Sequence, residues 1–179
     1  GRLLPFVEAL IVDENMEPVE PGVVGELLFA RDNVIAGYWN QPGRLEEAFV
    51  EVQGRTWFNT GDLATVDEEG YFFIKGRKKD MIIVGGENVY AAEVEAVLMT
   101  HGRVKEAAVK GIPATGIRES LREMIKAYVV PADLDLTETE IRRHCHKHLP
   151  SFKIPHIITF LEALPRNPAG KVVKAELDG

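Results

Sequence analysis

The chain has 179 residues, 45% hydrophobic and 27% charged, with a formal net charge of -7. That length carries one ordinary domain or two small ones, and the acidic balance argues against a protein whose main business is binding nucleic-acid phosphates. The single cysteine, Cys145, excludes an internal disulfide and fits a reducing compartment, which sets the expectation of a cytoplasmic protein. No apolar run approaches the ~18–20 residues that span a bilayer, and the opening GRLLPFVEAL lacks the basic region and long apolar core of a signal peptide.

The first third reads as β structure. FVEALIVD alternates loosely, GELLFA follows a connection rich in Pro, Gly and Glu, and GRLEEAFV suggests a short helix. WFNTGDLATVDEEGYFFIKG has the character of a strand, a turn at DEEG and a second strand. The pattern changes at GRKKD, where charges cluster without apolar periodicity. MIIV then predicts a strand, and after Gly85 and Gly86 the segment AAEVEAVLMTH predicts a helix with Val94, Val97 and Leu98 on one face. EAAVKGI and IKAYVVP read as strands. TETEIRRHCHKHL reads as a helix that opens on Thr137 and Glu140 at capping-box spacing and buries Ile141, Cys145 and Leu149. A last strand, HIITFLEAL, leads into a Pro165–Lys174 loop that no core is seen to hold. The expected fold is α+β: a β-rich segment, a charged joint near residues 77–80, and a compact α+β domain of about 100 residues.

Several short stretches invite chemistry, and each has a plainer reading. Asp62 in TGDLA could accept from both hydroxyls of a ribose diol, or it could be a turn aspartate bonded to its own backbone, the stronger reading of the tripeptide alone. Arg77 in GRKKD suits a phosphate or ribose, although most charge clusters are solvated. Gly85-Gly86 could form a wall without Cβ atoms along which a narrow ligand slides, but an ordinary turn is the simpler account. In HCHKH only His144 and His148 share a helix face, so a metal site is not expected. Lys171, directly after Gly170, is either a charge presented to a substrate or a cation capping a terminal helix. Neither a nucleophile–base–carboxylate set nor a Gly-rich phosphate loop is legible.

Taken together and in order, GELLFARDNVIAGYWNQP, WFNTGDLA, GYFFIKGRKKDMIIVGGENVYAAEVE and LPRNPAGKVVK closely resemble the AMP-forming acyl-CoA synthetases of the adenylate-forming superfamily. The resemblance covers nearly the whole chain but not a whole enzyme. It implies the end of the large N-terminal domain over residues 1–77 and a small mobile C-terminal domain over 78–179, with the hinge at Lys79. The family's Ser/Thr/Gly-rich phosphate loop and Thr-Glu magnesium motif match nothing in this sequence. The resemblance therefore implies ATP/AMP and CoA as ligands, Mg2+ held through residues outside the chain, a missing N-terminal part of the same enzyme, and a piece that is inactive alone. By matching motif, Asp62 would hold the ribose hydroxyls, Arg77 the ribose and phosphate, and Ile74 would lie near the nucleoside. Gly85 and Gly86 would line the path of the pantetheine arm, Phe152 would pack on the CoA adenine, and Lys171 would meet the substrate carboxylate and α-phosphate during adenylation. The implied reaction joins a carboxylic acid, short-chain, fatty or aromatic, to CoA through an acyl-adenylate. An amino-acid-activating adenylation domain and a non-catalytic nucleotide- or partner-binding module are the alternatives. The sequence departs from the family pattern at Arg122-Glu123, where relatives commonly carry Gly-Glu.

Overall fold

A computed structural model describes residues 1–41 and 43–177. The chain divides into two compact units, Gly1–Lys79 and Asp80–Gly179.

The first unit is an antiparallel sheet of five strands: β1 (Ala9–Val12), β2 (Gly25–Ala30), β3 (Phe49–Val52), β4 (Arg55–Val66) and β5 (Phe72–Arg77). The order is β1-β2-β4-β3, and β5 also pairs with β4. β4 is long enough to hold β3 along its first half and β5 along its second. Period-two alternation explains the sheet's two apolar faces: Val12, Leu28, Ala30, Val52 and Trp57 cluster on one, and Ile11, Leu27 and Ala64 on the other. The helix expected in GRLEEAFV is only a 3-10 turn over Glu46–Ala48. The residues that follow join the sheet instead, because Phe49 meets Phe58 edge-to-face at 5.9 Å and Val52 is buried. Cross-strand packing outweighs helical propensity in so short a stretch.

The second unit begins with a hairpin of β6 (Met81–Val84) and β7 (Glu87–Tyr90), followed by α1 (Ala91–Met99), β8 (Val104–Pro113), β9 (Glu123–Pro131), α2 (Glu138–His148) and β10 (Ile157–Phe160). β9 is central, antiparallel to β8 and parallel to β10. Alternation along β9 sends Ile125, Ala127 and Val129 into one core with Val94 and Leu98 of α1 and Ile141 and Cys145 of α2. The Ile141–Cys145–Leu149 stripe is buried as its spacing requires. Burial pushes the Cys145 thiol up to about 11, so it is a packing group and not a nucleophile. Thr137 caps α2 by accepting from the Glu140 N–H at 3.3 Å. The reciprocal half of the capping box is absent, since the Glu140 carboxylate turns to Arg103 at 2.9 Å.

The opposite face of the β8–β9–β10 sheet is also covered. Tyr128 and Val130 pack there against Leu164 and Leu177, with Leu161 and Val172 at the margin. The residues after β10 are therefore a third layer of the unit, which corrects the expectation of an unheld loop. Among the described residues no helix is long and apolar enough to cross a membrane.

Candidate functional site

In the first unit the site is built where the C-terminal end of β5 pairs with the interior of β4. Gly61 takes a positive φ of 70° within β4, a conformation that suits glycine. Around it Thr60 donates its hydroxyl proton to the Leu27 carbonyl and accepts from the Asp62 N–H at 3.0 Å, while Asn59 accepts from the Gly61 N–H. Asp62 pairs in register with Arg77. Its carboxylate Oδ1 meets the Arg77 Nε at 2.7 Å, with the aspartate side chain 29% exposed and the arginine 56%. The carboxylate is thus engaged across the sheet and not folded onto its own turn. Its second oxygen and the remaining lone pair of Oδ1 stay available as acceptors. Ile74, three residues before Arg77 and opposite Ala64, is 59% exposed.

A cleft of about 330 Å3 opens beside this pair, lined by Glu26, Gly61, Arg77, Lys78 and Lys79. Glu26 is the residue that sequence reasoning missed. It lies on β2 with its side chain only 6% exposed, and it accepts from the Lys78 ammonium at 2.7 Å. A buried carboxylate needs a partner, so Lys78 is fixed and is not a solvated linker residue. The available signal was an acidic residue at the head of the apolar strand GELLFA. Lys79 is exposed, and its side chain has no hydrogen bond or ion pair with a described residue.

In the second unit Gly85 and Gly86 are the two central residues of the β6–β7 turn, with φ of 60° and 92°. Positive φ at both positions is the pattern of a two-residue hairpin turn that matches strand twist, which accounts for both glycines without a ligand. A Cβ added at Gly86 would meet nothing within 4 Å, so one side of the turn is open. The turn is tied to the segment before β9: the Gly85 N–H donates to the Leu121 carbonyl at 2.9 Å, and Val84 bridges Arg122. Glu123 supports β6 by accepting from the Ile83 N–H at 2.7 Å. Phe152 is partly buried against the helix–sheet core, with the Lys153 ammonium 5.7 Å from its ring centre. Packing therefore explains its position.

Lys171 sits on a pinned turn. Arg166 bridges Val172, and Asn167 exchanges two hydrogen bonds with the Lys171 peptide, one through its side chain and one through its backbone. The Lys171 side chain is exposed, and its ammonium has no partner among the described residues. Lys174, in contrast, serves as a structural clamp: it reaches Glu95 at 2.7 Å and the Val109 carbonyl at 2.9 Å. His144 and His148 do share a face of α2, their rings 4.9 Å apart, and His101 meets His144 edge-on at 4.9 Å. The His144 Nε2 lies 3.0 Å from the Val97 carbonyl, so these rings join the two helices. Among the described residues no group of three or more His, Cys, Asp or Glu side chains is placed to hold a metal ion.

A family model of the AMP-binding enzyme C-terminal domain matches residues 93–171. Over 99% of its length the chain is 40% identical to a long-chain-fatty-acid–CoA ligase of Escherichia coli O157:H7 and 42% identical to the long-chain-fatty-acid–CoA ligase FadD13 of Mycobacterium tuberculosis. It spans only 30% and 33% of those two proteins. Among solved structures, o-succinylbenzoate CoA synthetase from Bacillus subtilis, in complex with its acyl-adenylate intermediate, superposes with a TM-score of 0.87 at 34% identity, over all of this chain and 35% of that one. The same synthetase has also been captured with ATP and a magnesium ion. With its C-terminal domain motif, its two-unit fold and its close relatives in agreement, the chain belongs to the adenylate-forming enzymes and forms a C-terminal portion of one.

Proposed function

We propose that this chain is part of an acid–CoA ligase. The enzyme would couple a carboxylic acid to ATP as an acyl-adenylate, releasing pyrophosphate, and then transfer the acyl group to the thiol of CoA with release of AMP. The observation that carries the reading is the Asp62–Arg77 pair beside the cleft. A carboxylate with free acceptor positions faces a vicinal diol well, and a guanidinium bound to it through Nε keeps its two Nη groups for a neighbouring phosphate. One nucleotide supplies both partners at that spacing. Ile74, exposed three residues away, offers an apolar contact to the nucleoside.

Lys171 then supplies the charge needed where the carboxylate oxygen attacks the α-phosphorus. Negative charge builds on the phosphoryl oxygens as the bond to pyrophosphate breaks, and a fixed cation lowers that barrier. The open flank of the Gly85-Gly86 turn is the route for the pantetheine arm in the second step. Lys79, unengaged at the boundary of the two units, is the residue about which the C-terminal unit turns between steps. Magnesium, which the Bacillus subtilis synthetase holds with ATP, finds no ligand cluster among the described residues of this chain, and no step is assigned to it. The long-chain ligases among the relatives make fatty acids the first substrates to test.

The test separates the half-reactions in the full-length enzyme that carries this chain. Lys171→Ala should slow acyl-adenylate formation by roughly 10²–10³-fold and leave the reaction of synthetic acyl-adenylate with CoA close to normal. Equal slowing of both steps, or of neither, would sink the assignment.

A further inference from the structure

The turn that carries Lys171 is more tightly specified than a connection needs to be. The Asn167 Oδ1 accepts from the Ala169 N–H at 3.1 Å and from the Lys171 N–H at 2.9 Å. The Asn167 N–H donates to the Lys171 carbonyl at 2.9 Å, and its carbonyl accepts from the Gly170 N–H at 2.8 Å. One residue thus holds both faces of the Lys171 peptide. The residue before that lysine is held as well. The Arg166 Nη1 donates to the Gly170 carbonyl at 2.6 Å, and the Arg166 Nη2 reaches the Glu106 carboxylate of β8 at 2.5 Å. Gly170 closes the turn at a φ of 79°, where a Cβ would meet no atom within 4 Å, so the glycine serves backbone conformation and not space. Leu164 and Leu177, both buried, anchor the segment on either side. At the centre of this network the Lys171 ammonium stays free.

We propose that Asn167 is a positioning residue for the Lys171 ammonium in adenylate formation. The inference rests on the function proposed above and concerns the same site. Asparagine suits the task because its short amide bonds backbone two and four residues ahead without leaving the turn. A charged group stabilises a transition state only if its own backbone is already fixed, and a misplacement of about 1 Å can cost roughly 10²-fold in rate. Loss of the Asn167 amide frees the Lys171 N–H and lets the ammonium wander by such a distance.

The experiment is a double-mutant cycle in the full-length enzyme, with the two half-reactions read separately. Asn167→Ala should lower the rate of acyl-adenylate formation by roughly 10–100-fold, with little change in the KM for ATP and normal conversion of synthetic acyl-adenylate. Asn167→Ser, whose hydroxyl accepts more weakly, should recover most of the loss. In a Lys171→Ala background, Asn167→Ala should cost less than about 2-fold more, because its effect passes through the lysine. An unchanged cost in that background would make Asn167 a purely structural residue, as would equal damage to both half-reactions in an enzyme that remains folded. If Asn167→Ala lowers the folded fraction, each rate is taken per folded enzyme, counted by helical dichroism, and the same two outcomes decide. A Lys171→Ala enzyme with normal adenylate formation would instead overturn the function assigned to the lysine, and that result is distinct from a failure of the Asn167 proposal.

Discussion

Arg122 occupies a backbone conformation that an arginine should avoid, and this gives a sharp stability prediction. Its φ of 65° and ψ of -58° lie where a Cβ crowds the backbone. Its guanidinium is exposed and has no partner among the described residues, so the side chain contributes little. The backbone, by contrast, is committed: the Arg122 N–H donates to the Glu119 carbonyl at 3.1 Å, and its carbonyl accepts from the Ala114 N–H at 2.9 Å. Arg122→Gly should keep both bonds and relieve about 1–2 kcal/mol of strain. Extra freedom of glycine in the unfolded chain returns about 0.5–1 kcal/mol of that. The net gain of about 0.5–1 kcal/mol corresponds to a rise in Tm of roughly 2–8 °C for a unit of this size. Arg122→Ala removes the same charge but keeps the Cβ and should change Tm very little. Among the described residues both α-helices lie in the second unit, and both tryptophans, Trp39 and Trp57, lie in the first. Helical dichroism therefore follows the unit that contains Arg122, while tryptophan fluorescence follows the other. If glycine is no better than alanine by dichroism, the strain argument fails.

Two other perturbations test how each unit is held together. The His156 Nδ1 accepts from the Ile125 N–H at 3.1 Å, which requires an unprotonated nitrogen. Burial, with the charges of Arg118 and Arg142, holds its pKa below the ordinary imidazole value. The unfolded ring therefore takes a proton first, so this contribution is complete above about pH 6.5 and is lost as pH falls toward the folded pKa. His156→Asn should flatten the wild-type decline in urea midpoint over that window, and an unchanged slope would refute it. Lys78→Met should strand the buried Glu26 carboxylate at a cost of about 1–3 kcal/mol, below the full buried-pair penalty because the lysine side chain is half exposed. Adding Glu26→Gln should restore much of that loss by tryptophan fluorescence, whereas additive losses would argue against a coupled pair.

The elements with strong periodicity were legible in the sequence. GELLFA became β2 without a residue gained or lost, and the Ile141–Cys145–Leu149 stripe is the buried face of α2. β7 was missed because Glu87–Tyr90 carries no alternation of its own and gains its place from the register opposite Met81–Val84. The Asp62–Arg77 pairing is also invisible in one dimension. It depends on a bulge between Leu63 and Ala64 that shifts the strand register. The role of Glu26 escaped for the same reason, since 52 residues separate it from Lys78 and only the sheet brings them together. Arg122 is the reverse case. The family pattern that the sequence resembles implied a glycine there, and the positive φ supplies a physical reason for one.

The layer formed by Leu164, Val172 and Leu177 has a consequence for how the lysine turn meets a ligand. Because that layer packs on Tyr128 and Val130, the turn loses its backbone freedom when the unit folds, long before any substrate arrives. Ordering a loose loop of this length at the moment of binding would cost about 1–2 kcal/mol for each residue fixed. Here that entropy is already gone, so only the side-chain torsions of Lys171 remain to be ordered. The approach of its charge to a substrate then has few coordinates, those of one rigid body, and its rate should respond to solvent viscosity more than to substitutions at Pro168, whose ring holds no part of the turn's hydrogen-bond network.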